Sequence, residues 1–148
     1  MNNRPVPELQ TDPEFDELIQ PREEKYLEEL EENIFDHGCL EPVCVWNGII
    51  LDGRLRYKIC TKWDIHFNIR RIMFESRDKA VSFICHEQLK RTDLTGEYKK
   101  YLIGRLFRAD MNTASDEFMK KHPDTELNAD GQVSQKYVRK TDLSLIHI

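Results

Sequence analysis

An α+β fold is what this 148-residue sequence predicts, and three observations predict it. Apolar residues recur at helical spacing through residues 23–37. Two short β-forming runs flank Asn47-Gly48, the dipeptide of a tight antiparallel turn. Strand-like and helix-like segments then alternate as far as about residue 109.

The length allows one domain with a real core and part of another. Hydrophobic residues make up 39% and charged residues 33%, the balance of a soluble globular chain. No apolar run approaches the roughly 18–20 residues of a membrane span, and the N-terminal MNNRPVPELQ lacks the apolar core of a signal peptide. The expectation is a cytoplasmic protein without a membrane partner. Cys39, Cys44, Cys60 and Cys85 are scattered and form none of the close pairs that zinc sites need, so they read as reduced core thiols and no metal site is expected. The net charge of −5 argues against indiscriminate adhesion to nucleic acid and leaves room for a local basic face.

Residues 1–14 are polar and carry Pro5, Pro7 and Pro13, which predicts a flexible extended arm with no core of its own. Phe15, Leu18 and Ile19 predict a first strand over 15–19, ended by Gln20-Pro21-Arg22. Pro21 suits the mouth of a helix, where its missing N–H is no loss. That helix, over 23–37, carries Tyr26, Leu27, Leu30, Ile34 and Phe35 on its apolar stripe, with Gly38 just past its end. Its glutamates read as a solvated face, and only Glu23 and Glu24 at its start are placed to face a site.

Val43-Cys44-Val45-Trp46 and Ile49-Ile50-Leu51 are the arms of the hairpin. The outgoing arm delivers the Asp52-Gly53 turn into a helix over 54–62, whose apolar side holds Tyr57 and Cys60 with Ile59 beside them. An anion there would meet free backbone N–H groups at the helix start and the guanidinium groups of Arg54 and Arg56, while Gly53 permits a close approach. The stretch is thus a candidate phosphate site; it also reads as a tight strand-to-helix connection with two solvated arginines.

Phe67, Ile69 and Ile72 predict a strand over 66–74. Ser76 then caps a helix with Ala80, Val81, Phe83, Ile84 and Leu89 on one broad face. After a break at 92–95, a helix over 96–109 carries Tyr98, Tyr101, Leu102, Leu106 and Phe107 on its apolar side. Between His86 and Arg108 six lysines and arginines stand against three acids, so Lys99, Lys100, Arg105 and Arg108 are candidates to contact a DNA backbone, or else a solvated face. Residues 110–131 are polar, with loop signals at His122-Pro123-Asp124 and Asn128-Ala129-Asp130-Gly131.

Three stretches in order, QPREEKYLEELEENIFDHG, LEPVCVWNGIILDGRLRYKIC and EQLKRTDL, resemble the N-terminal domain of the ParB family, within the ParB and sulfiredoxin superfamily. EQLKRTDL is similar to the ENxQRxDL box that closes that family's nucleotide-binding domain. The resemblance implies a small mixed sheet with packed helices, which binds a nucleotide, typically CTP with magnesium, and couples it to closure of a dimeric clamp on DNA. It implies that Gln20 and Arg22 approach the nucleotide, that Gly53, Arg54 and Arg56, after Asp52, occupy the place of the phosphate-binding GExR box, and that Gln88 and Arg91 fall on the third box.

The departures matter. The glutamate of the GERR form is here Arg54, which removes a group that supports nucleotide hydrolysis and leaves NTPase activity open. Sulfiredoxins carry a catalytic cysteine in GGCHR, and Arg54 stands there, so that activity is not expected. DGxxR also resembles the DGHHR motif of free serine kinases. The alternative it raises is a small nucleotide-dependent phosphotransferase with Glu23 or Glu24 as base, although the family's histidines are missing.

The resemblance divides the chain into the arm 1–14, a nucleotide-binding domain over 15–94 and a helical extension over 95–142. Within the extension, GQVSQKYVRK at 131–140 has the look of the start of a helix-turn-helix recognition helix. The last six residues, LSLIHI, resemble translated sequencing-adaptor sequence, so 143–148 are expected to be a non-native tail. Nucleotide, DNA through the C-terminal region, and a second copy of the chain are the expected partners, in an orphan ParB relative of a plasmid, phage or integrative element acting in partition or DNA-linked regulation.

Overall fold

Asn47 and Gly48 both take positive φ, 51° and 77°. That geometry matches the twist of the flanking strands, which is why Asn-Gly turns the chain here. The strands it joins are β1 (Val43–Trp46) and β2 (Ile49–Asp52), antiparallel, with a register shift between Cys44 and Val45. The computed structural model describes residues 8–123. Around the hairpin lie α1 (Pro13–Glu17), α2 (Glu24–His37), α3 (Arg54–Trp63), β3 (Ile69–Arg71), α4 (Arg77–Leu89) and α5 (Gly96–Lys121). β3 joins the other edge of β1 in parallel, giving a mixed sheet of order β2-β1-β3. This is the expected α+β architecture of a small mixed sheet with packed helices.

Strand alternation decides how the helices are distributed. Val43, Val45 and Ile50 face a core with Ile34 of α2, Ile59 and Cys60 of α3, and Phe67. Cys44 and Leu51 face the opposite core, with Phe15 of α1, Ala80, Val81, Ile84 and Cys85 of α4, and Leu102 and Ala109 of α5. The sheet is therefore covered on both faces. Cys44, Cys60 and Cys85 are buried, and burial pushes the Cys60 thiol up to about 12 and the Cys85 thiol up to about 11, as expected of neutral core thiols, whereas Cys39 is only half-buried at the edge of the α2–α3 core. For Cys60 the neighbouring Cys39 thiol adds to the effect.

Three sequence expectations change. Residues 15–19 do not form a strand: Phe15 lies within α1, whose N-cap Asp12 accepts hydrogen bonds from the N–H groups of Glu14 and Phe15 at 3.0 and 3.4 Å, with Pro13 in the first helical turn. Nor is the arm coreless from residue 9 onward. Leu9 packs against the α2–α3 core, and Gln10 bridges the outer edge of β2, donating to the Gly48 carbonyl and accepting from the Ile50 N–H, both at 2.9 Å. Thirdly, α5 does not stop at Ala109. No glycine or proline interrupts 110–121, and the helix runs on until the approach to Pro123.

Elsewhere Ser76 caps α4 by accepting from the Lys79 N–H at 3.2 Å, as expected. The strand expected over 66–74 shrinks to Ile69–Arg71, because the chain on either side leaves the sheet to bury Phe67 in one core and pack Ile72 and Phe74 against the other. The expectations for 1–7, for the loops at 124–131, for the recognition-helix start at 131–140 and for the tail at 143–148 lie outside the described residues. No helix among the described residues is long and apolar enough to cross a membrane.

Candidate functional site

Pro21 and the α2 helix form one wall of a cleft of about 590 Å³; the Asp52-Gly53 turn and the start of α3 form another. The end of α4 and the residue after its cap contribute Gln88 and Arg91, and residues 38–41 complete the lining. All eight residues singled out for a nucleotide, namely Gln20, Arg22, Asp52, Gly53, Arg54, Arg56, Gln88 and Arg91, line this one cleft. They come from three segments far apart in sequence.

Gly53 is where the backbone makes the site. Its φ of 95° is left-handed, and a Cβ there would lie 2.9 Å from Arg56 Nη2 and 3.3 Å from the Val43 Cα. The Arg56 guanidinium therefore lies directly over Gly53. Tyr57 N–H donates to the Gly53 carbonyl at 2.9 Å, the first helical bond of α3, so the N–H groups of residues 54–56 precede it and no side chain caps them. A helix start of this kind attracts anions.

Each arginine of the cleft already holds an acid. Arg56 donates to Glu41 at 2.5 Å and to Asp52 at 3.2 Å, and Arg54 pairs with Asp16 at 3.1 Å. Arg54 Nε is buried with no hydrogen-bond partner. On the far side, Asp93 pairs with Arg22 at 3.0 Å and takes a two-pronged contact from Arg91 at 2.8 and 2.9 Å. Arg91 also donates to the Gln20 carbonyl at 2.8 Å and to Gln88 at 2.9 Å, while Gln20 bonds Asp93 and Thr95. Gln88, only 7% exposed, is thus satisfied within the network. This tie fastens the α1–α2 linker to the chain after α4.

Hydrogen bonds from Arg91, ahead of the charges of Arg22 and Arg91, hold the Asp93 carboxyl down to about 2. Because the folded-state value is depressed, this contribution to stability is complete above the ordinary 3.8 and is lost as pH falls through about 2. We expect NMR of the side-chain carboxyl to show Asp93 titrating near 2. A midpoint near 4 would mean that the paired geometry does not hold in solution.

Sequence reasoning missed the rest of the cleft. Tyr26, Leu27, Leu30 and Asn33 make an apolar wall with one amide, and Arg22 lies over the Tyr26 ring at 4.3 Å. The helical spacing places Tyr26, Leu27 and Leu30 on the apolar stripe of α2, but of that stripe only Ile34 is fully buried. The available signal was a stripe wider than one buried residue, beside the Pro21-Arg22 corner. Glu41 and Asp16 carried no local signal, and Asp93 stands within the EQLKRTDL stretch without being singled out there. Glu23 and Glu24 are exposed at the start of α2 and are not among the residues lining the cleft.

The DNA candidates lie on α5, away from the cleft. Lys99, Lys100 and Arg108 are exposed, whereas Arg105 is half-buried, 3.7 Å from Glu14 and 3.3 Å from the Tyr101 hydroxyl. At about 100° per residue the four spread around the helix and do not form one stripe. Ile103, Phe107 and Met111 are exposed between them.

No family model matches the sequence, and no curated protein matches it. Two solved structures of a pNOB8-like ParB N-domain do match the fold. One, in a C2221 crystal form, is 17% identical with a TM-score of 0.61 over 85% of this chain and 53% of its own. The other is 18% identical with a TM-score of 0.59 over 86% of this chain and 50% of its own. The chain has the fold of a ParB N-terminal domain and spans about half the length of these relatives.

Proposed function

We propose, from the premise of a ParB N-domain fold, that the cleft binds a nucleoside triphosphate, CTP or a close relative, and that the chain is a ParB-like, DNA-associated module. The observation that carries this reading is the convergence of Gln20, Arg22, Gly53, Arg54, Arg56, Gln88 and Arg91 on one cleft. On this reading the start of α3, with Arg54 and Arg56, holds the phosphates, and the wall of Tyr26, Leu27 and Leu30 receives the sugar and base. No group of three acidic, histidine or cysteine side chains among the described residues is arranged to hold a metal. Magnesium would arrive with the triphosphate, held by phosphate oxygens and water.

The setting proposed is a plasmid, phage or integrative element, with DNA met through the C-terminal region and with a second copy as the clamp partner. The test is calorimetric titration of the full chain with CTP, ATP and GTP, with and without magnesium. Saturable binding, competed by inorganic tripolyphosphate, is the expected result. Absence of saturable binding for all three removes the proposal.

A further inference from the structure

We infer that Glu41 is a resident counter-anion. Its carboxylate holds the place on Arg56 that a ligand phosphate takes, so binding at the cleft exchanges Glu41 for phosphate. This rests on the phosphate-site reading above and goes beyond it, by naming the group that the ligand must displace.

The four acids that pair with the cleft's arginines are not equally free to leave. Asp16 is 30% exposed and fixed in α1, Asp52 is 39% exposed and fixed in β2, and Asp93 is 45% exposed but serves two arginines at once. Glu41 is 80% exposed, on the connection between α2 and β1, while Arg56 beneath it is 14% exposed. That connection is held at its ends, where Gly38 N–H donates to the Ile34 carbonyl and Val43 N–H to the Asn68 carbonyl, both at 2.8 Å, and through the Glu41 backbone, whose carbonyl accepts from the Cys39 thiol at 3.5 Å; none of these bonds holds the Glu41 side chain. Between these pins the Glu41 side chain can swing into water without breaking secondary structure. Asp52 would stay on Nη2, and the vacated Nη1 would turn to the ligand.

The exchange has a consequence for selectivity. A single phosphate replaces one anion on Arg56 by another, with little net gain. An extended polyphosphate also reaches Arg54 and the open N–H groups of α3, and so repays the loss of Glu41. Glu41 thereby sets a threshold that favours ligands with several linked phosphates.

The test titrates inorganic tripolyphosphate and orthophosphate into the full chain, its Glu41→Gln and Arg56→Ala forms, and the double variant. Glu32→Gln is the control, since Glu32 lies on the side of α2 away from the cleft-lining positions and loses the same charge. Circular dichroism melting checks that each variant folds. Glu41→Gln is expected to bind tripolyphosphate about tenfold more tightly, to gain at least as much for orthophosphate, and to lose both gains in the double variant. Glu32→Gln is expected to match the parent. If the parent binds and Arg56→Ala does not, yet Glu41→Gln gains nothing, the counter-anion inference falls and the phosphate site stands. An equal gain in Glu32→Gln reduces the effect to net charge and overturns the inference. If no form binds either probe, the inference and the phosphate site fall together.

Discussion

Replacing Arg56 by alanine is expected to weaken nucleoside triphosphate binding about 10- to 100-fold, because the charge-assisted hydrogen bond that its Nη1 gives the ligand, of about 1.5–3 kcal/mol, is lost. The effect on the fold should be smaller. The acids that Arg56 holds are 39% and 80% exposed, so both remain solvated when it is gone; Arg56 itself is 14% exposed, and the expected cost, about 1 kcal/mol, is mainly the lost packing of its stem. Calorimetry paired with a thermal melt separates the two effects. Arg56→Lys sharpens the comparison, since it keeps the charge but loses the planar fork. It should fall between parent and alanine. An Arg56→Ala protein that melts like the parent and binds nucleotide equally well would remove the phosphate role from the start of α3.

The largest effect on stability is expected at Phe15. It is 1% exposed, its ring centroid lies 6.3 Å from that of Trp46, and the Arg77 guanidinium sits 4.5 Å over its ring. Phe15→Ala would open a cavity between α1, the sheet and α4 at a cost of about 3–5 kcal/mol. Domains are stable by only about 5–15 kcal/mol, so the denaturant midpoint should fall sharply. Phe35 is the contrast: it is 53% exposed against Trp63, and its removal should shift the midpoint little. Equal small shifts at both sites would mean that α1 is not part of the core.

The misreading of that same segment shows where sequence legibility ends. Phe15, Leu18 and Ile19 were apolar enough for either element. Asp12-Pro13 ahead of them was the deciding signal, a cap followed by a proline suited to a first helical turn. The spacing agreed, since Phe15 and Leu18, three apart, are both buried on one side. A strand would have sent them to opposite faces. The tail of α5 teaches the same lesson differently: polar composition suggested loops, yet with no residue to break the helix before Pro123 the backbone continued.

By itself the sequence determined the α+β class, the Asn47-Gly48 hairpin, the α2, α3 and α4 segments, and the glycine that opens α3. These follow from backbone preferences and side-chain periodicities that act within one or two turns of chain. Only the tertiary structure decided that the three separated segments share one cleft, that its arginines arrive already paired with Asp16, Glu41, Asp52 and Asp93, and that the basic residues of α5 spread around it. The Arg22–Asp93 pair joins residues 71 apart. No local preference encodes such a meeting; it arises when burying both faces of a small sheet brings the ends of unrelated helices together, and the charges left at that junction must find one another or water.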